Sequence, residues 1–332
     1  MKAITYKNTK TRIPNWENTL HISNPRGYAY ETPTHFVHFY GKDSGWFVIS
    51  IGLTAIQKKQ GTLENWVKDV FGAENIEPMD REVGESLTGV WRPSLYYFND
   101  TLQALGSTME MLSPSQQAIK LLIEKLDEIF YYIEPTEDSI KTYSHKTREL
   151  LILACTEVEN CWQEYMREAG LKNAHGRGFS TNDYVNLKDS LFLQEYQFQL
   201  ITYPRLPPIR AFYGWESQKP TESLSWYSAY NKTKHNRNNY FRLATLENCI
   251  AAVIASLTLY CVRYGPNVLF QNENLFSSLI NQHFRMKLIN SNPKTFYLPN
   301  IVLPGNIRND LFVFDPRRDK FTQPFKQVSL IL

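Results

Sequence analysis

The sequence predicts an α+β fold in which a helical bundle is flanked by β-rich segments at both ends. Three observations carry that expectation. Much of the first hundred residues alternates apolar and polar positions between turn residues, the period of strands. Residues 113–265 carry apolar stripes at helical spacing. Beyond Gly265 the chain returns to short extended runs separated by Pro- and Asn-rich turns. The regions expected are therefore a β-rich 1–112, a helical 113–265 and a β-rich 266–332 that packs with the N-terminal sheet.

The elements follow in order. THFVHFYGK, from Thr34, sets Phe36, His38 and Tyr40 against Val37 and Phe39. GWFVISIGL, from Gly45, is rich in β-formers, and the intervening turn predicts a hairpin. TLENWVKDVFG reads as a short helix with Thr62 as N-cap and Gly72 as stop. A longer helix begins at Ser113 or Ser115, shows Ile119, Leu122, Leu126, Ile129 and Phe130 at helical spacing, and ends at Pro135. The next runs from about Ser144 to Glu168, with Leu151, Cys155, Val158 and Trp162 as its stripe and Gly170 beyond its end. TNDYVNLKDSL is a short helix capped by Thr181, and FLQEYQFQLITYP, from Phe192, alternates like a strand. A helix over 224–230 leads into a basic motif, and a long helix over 239–264 follows. MKLIN, TFYLPNIVLP and DLFVFDP are read as extended.

Composition bounds the function. The 332 residues are 42% hydrophobic and 21% charged, which excludes a disordered chain. A net charge of +3 and a pI near 8.5 permit a nucleic-acid partner without requiring one. Cys155, Cys161, Cys249 and Cys261 lie in apolar helical runs without a CxxC pair, so they read as buried thiols of a reducing compartment. The N-terminus has no apolar signal-peptide core, and the apolar run 250–259 is too short for a span. The expectation is a cytoplasmic protein with no membrane contact.

Chemistry concentrates in WYSAYNKTKHNRNNYF, from Trp226. On one continuous helix Asn231, His235 and Asn239 share a face, with Lys234 beside them. An imidazole can move a proton near neutral pH, and cations can hold phosphate oxygens. Between residues 205 and 242, Arg205, Arg210, Lys219, Lys232, Lys234, Arg237 and Arg242 face only Glu216 and Glu222. Trp215, Trp226, Tyr227, Tyr230 and Tyr240 are interleaved and could stack bases. A solvated basic face over an aromatic core is the competing reading. On the preceding helix Arg148 and Glu159 border the apolar stripe. They either reach His235, with Glu159 orienting the ring, or serve as a structural salt bridge or a solvated helix edge.

Other candidates are weaker. His21, His35 and His38 lack zinc spacing and read as surface or hairpin residues, so no metal is expected. HGRG, from His175, lacks the strand-before, helix-after context of a phosphate loop. Asp80, Glu82 and Glu85 read as a solvated face. No cofactor motif stands out.

The stretch 226–257 resembles the end of a HEPN-type helical domain. The resemblance rests on Tyr230, Asn231, Lys234, His235 and Arg237, followed by Ala244, Thr245, Leu246, Asn248 and Ala252. Residues 148–166 resemble the partner helix, and the similarity spans roughly 114–264. It implies an up-and-down helical bundle that dimerises, and a metal-independent endoribonuclease of bacterial phage-defence or toxin–antitoxin systems. The family signature has an arginine and a histidine separated by four to six residues. Here the arginine position falls at 228–230 and is not basic. The resemblance then implies His235 as general acid/base, Asn231 as its orienter and Lys234 with Arg237 as phosphate holders. Arg148 and Glu159 are supporting, and Lys232, Arg242, Arg210 and Tyr230 bind RNA. The expected partners are RNA, a second copy of the chain, and an antitoxin or defence-system protein. The alternative is a non-catalytic RNA- or protein-binding scaffold on the same fold.

Overall fold

The computed structural model describes all residues except Ser44, Phe47, 173–177, 272–274 and 318–320. Most of the HGRG turn lies outside the described residues. The strands are β1 (Ala3–Lys7), β2 (Arg26–Glu31), β3 (His35–Gly41), β4 (Ile49–Lys58), β5 (Glu74–Pro78), β6 (Glu85–Leu87), β7 (Tyr196–Leu200), β8 (Phe284–Leu288), β9 (Phe312–Phe314) and β10 (Lys326–Val328). The helices are α1 (Leu20–Ser23), α2 (Leu63–Phe71), α3 (Phe98–Leu105), α4 (Met109–Phe130), α5 (His145–Glu168), α6 (Thr181–Tyr184), α7 (Leu187–Ser190), α8 (Ser225–His235), α9 (Arg237–Tyr240), α10 (Leu246–Tyr264), α11 (Asn267–Phe270) and α12 (Leu275–His283). The fold is α+β.

Two units form. A sheet unit contains 1–88, 92–106 and 291–328, and a helical unit contains 89–91, 107–290 and 329–332. The divisions after 106 and after 290 replace those expected after 112 and 265. Residues 266–290 belong to the helical unit because they fold as α11, α12 and β8, and β8 pairs with β7.

In the sheet unit, an antiparallel sheet runs β5-β1-β2-β3-β4-β9. The C-terminal β9 closes on β4, pairing Val313 with Ala55. The hairpin of β3 and β4 forms, but both its faces are covered. Val37 and Phe39 pack with Tyr28, Phe296 and Leu298 on one side. Phe36 and Tyr40 pack with Trp66 and Phe71 of α2 on the other. His35 and His38 are therefore buried rather than on the surface. His38 stacks on Phe71 at 3.6 Å and is joined to the Tyr6 hydroxyl at 2.6 Å. The Thr62 side chain accepts the Asn65 amide, and Gly72 ends α2 at φ 60, which a glycine adopts freely. Residues 296–303 form no named strand; among the described residues Ile301 makes an isolated bridge to Thr322. The acidic run is paired: Glu82 with the N-terminal amine, Glu85 with Lys326.

In the helical unit, hydrogen bonds and ion pairs fix the helix directions. Lys125–Glu149 and Glu128–Lys146 set α4 antiparallel to α5. Cys249 donates to the Thr147 carbonyl and Ser256 to that of Ala154, so α5 and α10 run parallel. Arg148 donates to the Thr233 carbonyl while Glu159 reaches Tyr227 and Tyr230, so α8 runs against α5. The four long helices thus alternate in direction along the chain. Helix α4 starts at Met109, four residues before Ser113, because the Thr108 hydroxyl captures the Met111 amide. Pro114 is tolerated inside it. Ser180, bonded through Asp183, caps α6 in place of Thr181.

The long helix expected from Asn239 starts instead at Leu246. Asn236 leaves helical geometry, and its side-chain oxygen accepts the Asn239 amide to start α9. A 3₁₀ turn over Phe241–Leu243 follows, and Thr245 caps α10 by accepting the Asn248 amide. Helix α10 has 19 residues, all buried except Glu247 and Asn248. It is long and apolar enough to cross a membrane, contrary to the length argument from residues 250–259, but its surface is spent on α4, α5 and α8. The cysteines are free thiols, and burial raises Cys161 to about 12.

Candidate nucleic-acid interface

Helix α8 points one face into the helical unit and ends in a cationic tip. Its inner face carries Trp226, Tyr227, Tyr230 and Thr233. Trp226 and Tyr227 join Trp162, Phe212 and Trp215 in a ring cluster, in which Trp162 and Trp215 stack at 4.9 Å. Of the aromatics expected to stack bases, Trp215, Trp226, Tyr227 and Tyr230 are thus core. Tyr240 alone of the five is exposed. The physical reason is spacing: Trp226, Tyr227 and Tyr230 share the face of α8 that meets α5 and α10.

Glu159 does not orient His235. Its two carboxylate oxygens accept from Tyr227 at 2.6 Å and Tyr230 at 3.0 Å. Lys234 in turn donates to the Tyr230 hydroxyl at 2.7 Å, with its ammonium 4.9 Å from that ring's centroid. The result is a connected line from Lys234 through Tyr230 and Glu159 to Tyr227, across the α5–α8 seam. Burial, reinforced by the adjacent carboxylate, pushes the Tyr227 hydroxyl well above its ordinary range. The hydrogen bond to Tyr230 raises Lys234. Arg148 donates to the Thr233 carbonyl at 3.1 Å, securing the last turn of α8 rather than reaching the imidazole. Neither Arg148 nor Glu159 meets His235; both instead make hydrogen bonds across to α8. Sequence reasoning passed over Thr233 and read Tyr227 as a base-stacking ring rather than as a partner of Glu159. The signal for the Tyr227 role was present in the 227, 230, 234 spacing, which is one helical stripe.

Arg210 is likewise occupied. Its Nε donates to the Gln194 carbonyl at 3.1 Å, and its guanidinium lies 4.1 Å over the Tyr213 ring. It stands among apolar residues of a separate pocket with Leu206, Leu224 and Trp226.

What reaches solvent is the tip. Lys232, Lys234, His235, Arg237 and Arg242 are all exposed. Among the described residues none of them makes an ion pair with a carboxylate, and His235 has no hydrogen-bond partner. Asn231 lies one turn before His235 on the same continuous helix and is half-buried. Asn239, expected on that face, is carried off by the break at Asn236. Arg237 lies 5.5 Å over the Phe241 ring, and Phe241 in turn meets Tyr143 and His145 at the start of α5. Lys232, Lys234 and His235 also sit in the last turn of α8, where cations offset the helix dipole. That placement accounts for some of the basic character. It does not account for Arg237 and Arg242, which lie beyond the helix end.

No group of three or more metal-ligating side chains occurs among the described residues. Compared with known protein families, curated proteins and solved structures, the chain matches none.

Proposed function

We propose that this chain is an RNA-directed protein on a HEPN-like helical bundle, and that the exposed end of α8 is where RNA phosphates bind. One observation carries the reading: five exposed cationic or titratable side chains, Lys232, Lys234, His235, Arg237 and Arg242, gather over eleven residues without a carboxylate partner among the described residues. Such a surface attracts polyanions and costs nothing in broken ion pairs on binding. Exposed Tyr240 and the Phe241–Tyr143 edge add ring surface beside the charges. The alternation of α4, α5, α8 and α10 supports the bundle, and the capped start of α10 supports the placement of the motif.

A metal-independent endoribonuclease is the second reading, favoured by Asn231 and His235 one turn apart with the imidazole open to solvent. There His235 would take the proton of an RNA 2′-hydroxyl while Lys234 and Arg237 hold the phosphate. A second copy would bring another His235 to the same phosphodiester. This reading places the protein in a bacterial defence or toxin–antitoxin setting with an antitoxin-like partner. The commitment of Glu159 to two tyrosines favours the binding reading, because it leaves the imidazole without a carboxylate to orient it.

The deciding experiment incubates total and transfer RNA with the purified protein in EDTA, beside His235→Ala. Cleavage lost in the variant establishes the nuclease. Binding without cleavage, weakened by Lys232→Ala and Arg242→Ala, establishes the binding module. Absence of both removes the RNA reading.

A further inference from the structure

We infer that the α8 tip carries a subsite for one unpaired nucleobase, a ring platform of Tyr143, His145 and Phe241 beside the Arg237 guanidinium. The inference rests on the RNA reading and narrows it to strands that present a free base face. All four residues lie in the helical unit.

Two segments far apart in sequence build the platform. Phe241 comes from the 3₁₀ turn after α9, and Tyr143 and His145 flank Ser144, the N-cap of α5. The Phe241 ring meets Tyr143 edge-on at 5.5 Å and His145 at 4.8 Å. Backbone contacts hold the two segments together. Tyr143 bridges Thr245, and the Leu246 amide donates to the Thr142 carbonyl at 2.9 Å. Ser144 closes a capping box with Thr147, which fixes the chain on both sides of it. The rings are therefore placed before a ligand arrives, so little ordering is left for binding to supply. They are also open. Tyr143 is 47% exposed, His145 is exposed and Phe241 is half-buried, whereas Trp226, Tyr227 and Tyr230 on α8 are core.

Charge selects the occupant of these rings. The nearby carboxylate of Glu247 is matched by Lys141, and Lys146 is matched by Glu128. Arg237, 5.5 Å over Phe241, makes no ion pair among the described residues. Lys232, Lys234 and Arg242 extend the same sign along the tip. A partner that alternates flat ring faces with negative charge is a single strand of nucleic acid. Its base stacks on Tyr143 while the adjoining phosphate meets Arg237. A duplex keeps its base faces in its own stack and gains nothing from the rings.

The test is titration of the full-length protein with two labelled single strands of equal length. One is oligodeoxyadenylate, which has no 2′-hydroxyl and cannot be cleaved through one. The other carries the same phosphates on abasic sugars. The base-bearing strand should bind about tenfold more tightly or better. Tyr143→Ala should abolish that advantage and Tyr143→Phe should keep it. The salt slope should stay the same in both, since neither substitution removes a charge. His145→Ala, at an exposed position, should reduce the advantage too. Equal binding of the two strands would overturn the subsite while leaving the RNA reading in place. So would an advantage that survives both Tyr143→Ala and His145→Ala. Loss in Tyr143→Phe as well would assign the effect to the hydroxyl and overturn stacking. Binding of neither strand would remove the RNA reading together with the subsite.

Discussion

Glu159 shows how a single half-buried carboxylate decides what its neighbours can do. It borders the apolar stripe of α5, and both its oxygens are taken by tyrosines of α8. Glu159→Gln keeps the shape but turns one acceptor into a donor facing a hydroxyl. The expected loss of stability is about 1–3 kcal/mol, with Tyr227→Phe costing less because the Glu159 oxygen it strips of a donor belongs to a half-buried side chain that water can reach. Urea midpoints of the two variants check the order; equal effects would mean that the seam relaxes around the change. His38 supplies a pH dependence. Burial lowers its pKa well below the usual 6.5, and the rings of Phe71, Tyr6 and Tyr40 around it supply no carboxylate to offset that. The unfolded chain binds a proton as pH falls through about 6.5 while the folded chain does not, so stability present above that pH is lost below it. The loss amounts to as much as about 2 kcal/mol by about pH 5. Denaturation at neutral and acid pH should show that loss, reduced in His38→Gln.

Helix ends are set by single side chains. Thr62 and Thr245 each accept an amide three residues on, at 3.3 Å. Thr62→Ala and Thr245→Ala should each cost about 1 kcal/mol, read as a shift in thermal midpoint. Gly72 combines positive φ with crowding, since a Cβ there would stand 2.3 Å from the Thr9 hydroxyl oxygen. Gly72→Ala should therefore exceed the penalty of either cap variant. Helices α2 and α5 were legible because cap and stop residues flank an uninterrupted stripe. The start of α10 was not. Asparagines between 236 and 239 suit a helix face or a cap equally well, and only the local competition of the Asn236 side chain for the Asn239 amide resolves them.

At the scale of the whole molecule, charge and association are what can be measured. If the α8 tip binds single-stranded RNA through its four cations, Lys232, Lys234, Arg237 and Arg242, log Kobs should fall with log salt at a slope of about −3. Each of Lys232→Ala and Arg242→Ala should flatten the slope by about 0.7. A slope unchanged in both variants would move the RNA contact elsewhere. The endoribonuclease reading adds a requirement: light scattering should give twice the 38.8 kDa chain mass. A strict monomer that still cleaves RNA would remove the shared-site mechanism.

The sequence by itself determined the α+β class, the hairpin of β3 and β4, the limits of α2 and α5, and the basic run at 232–242. Each is a local matter of period, cap or composition. Tertiary structure decided the rest, because it depends on which faces meet. Burial on both sides of the sheet put His35 and His38 in the core. Packing of α8 on α5 and α10 turned four of five aromatics inward and gave Glu159 to the tyrosines. The same packing left His235 open to solvent. A periodic pattern states that a face is apolar; only the partner that covers it states which polar groups are left for chemistry.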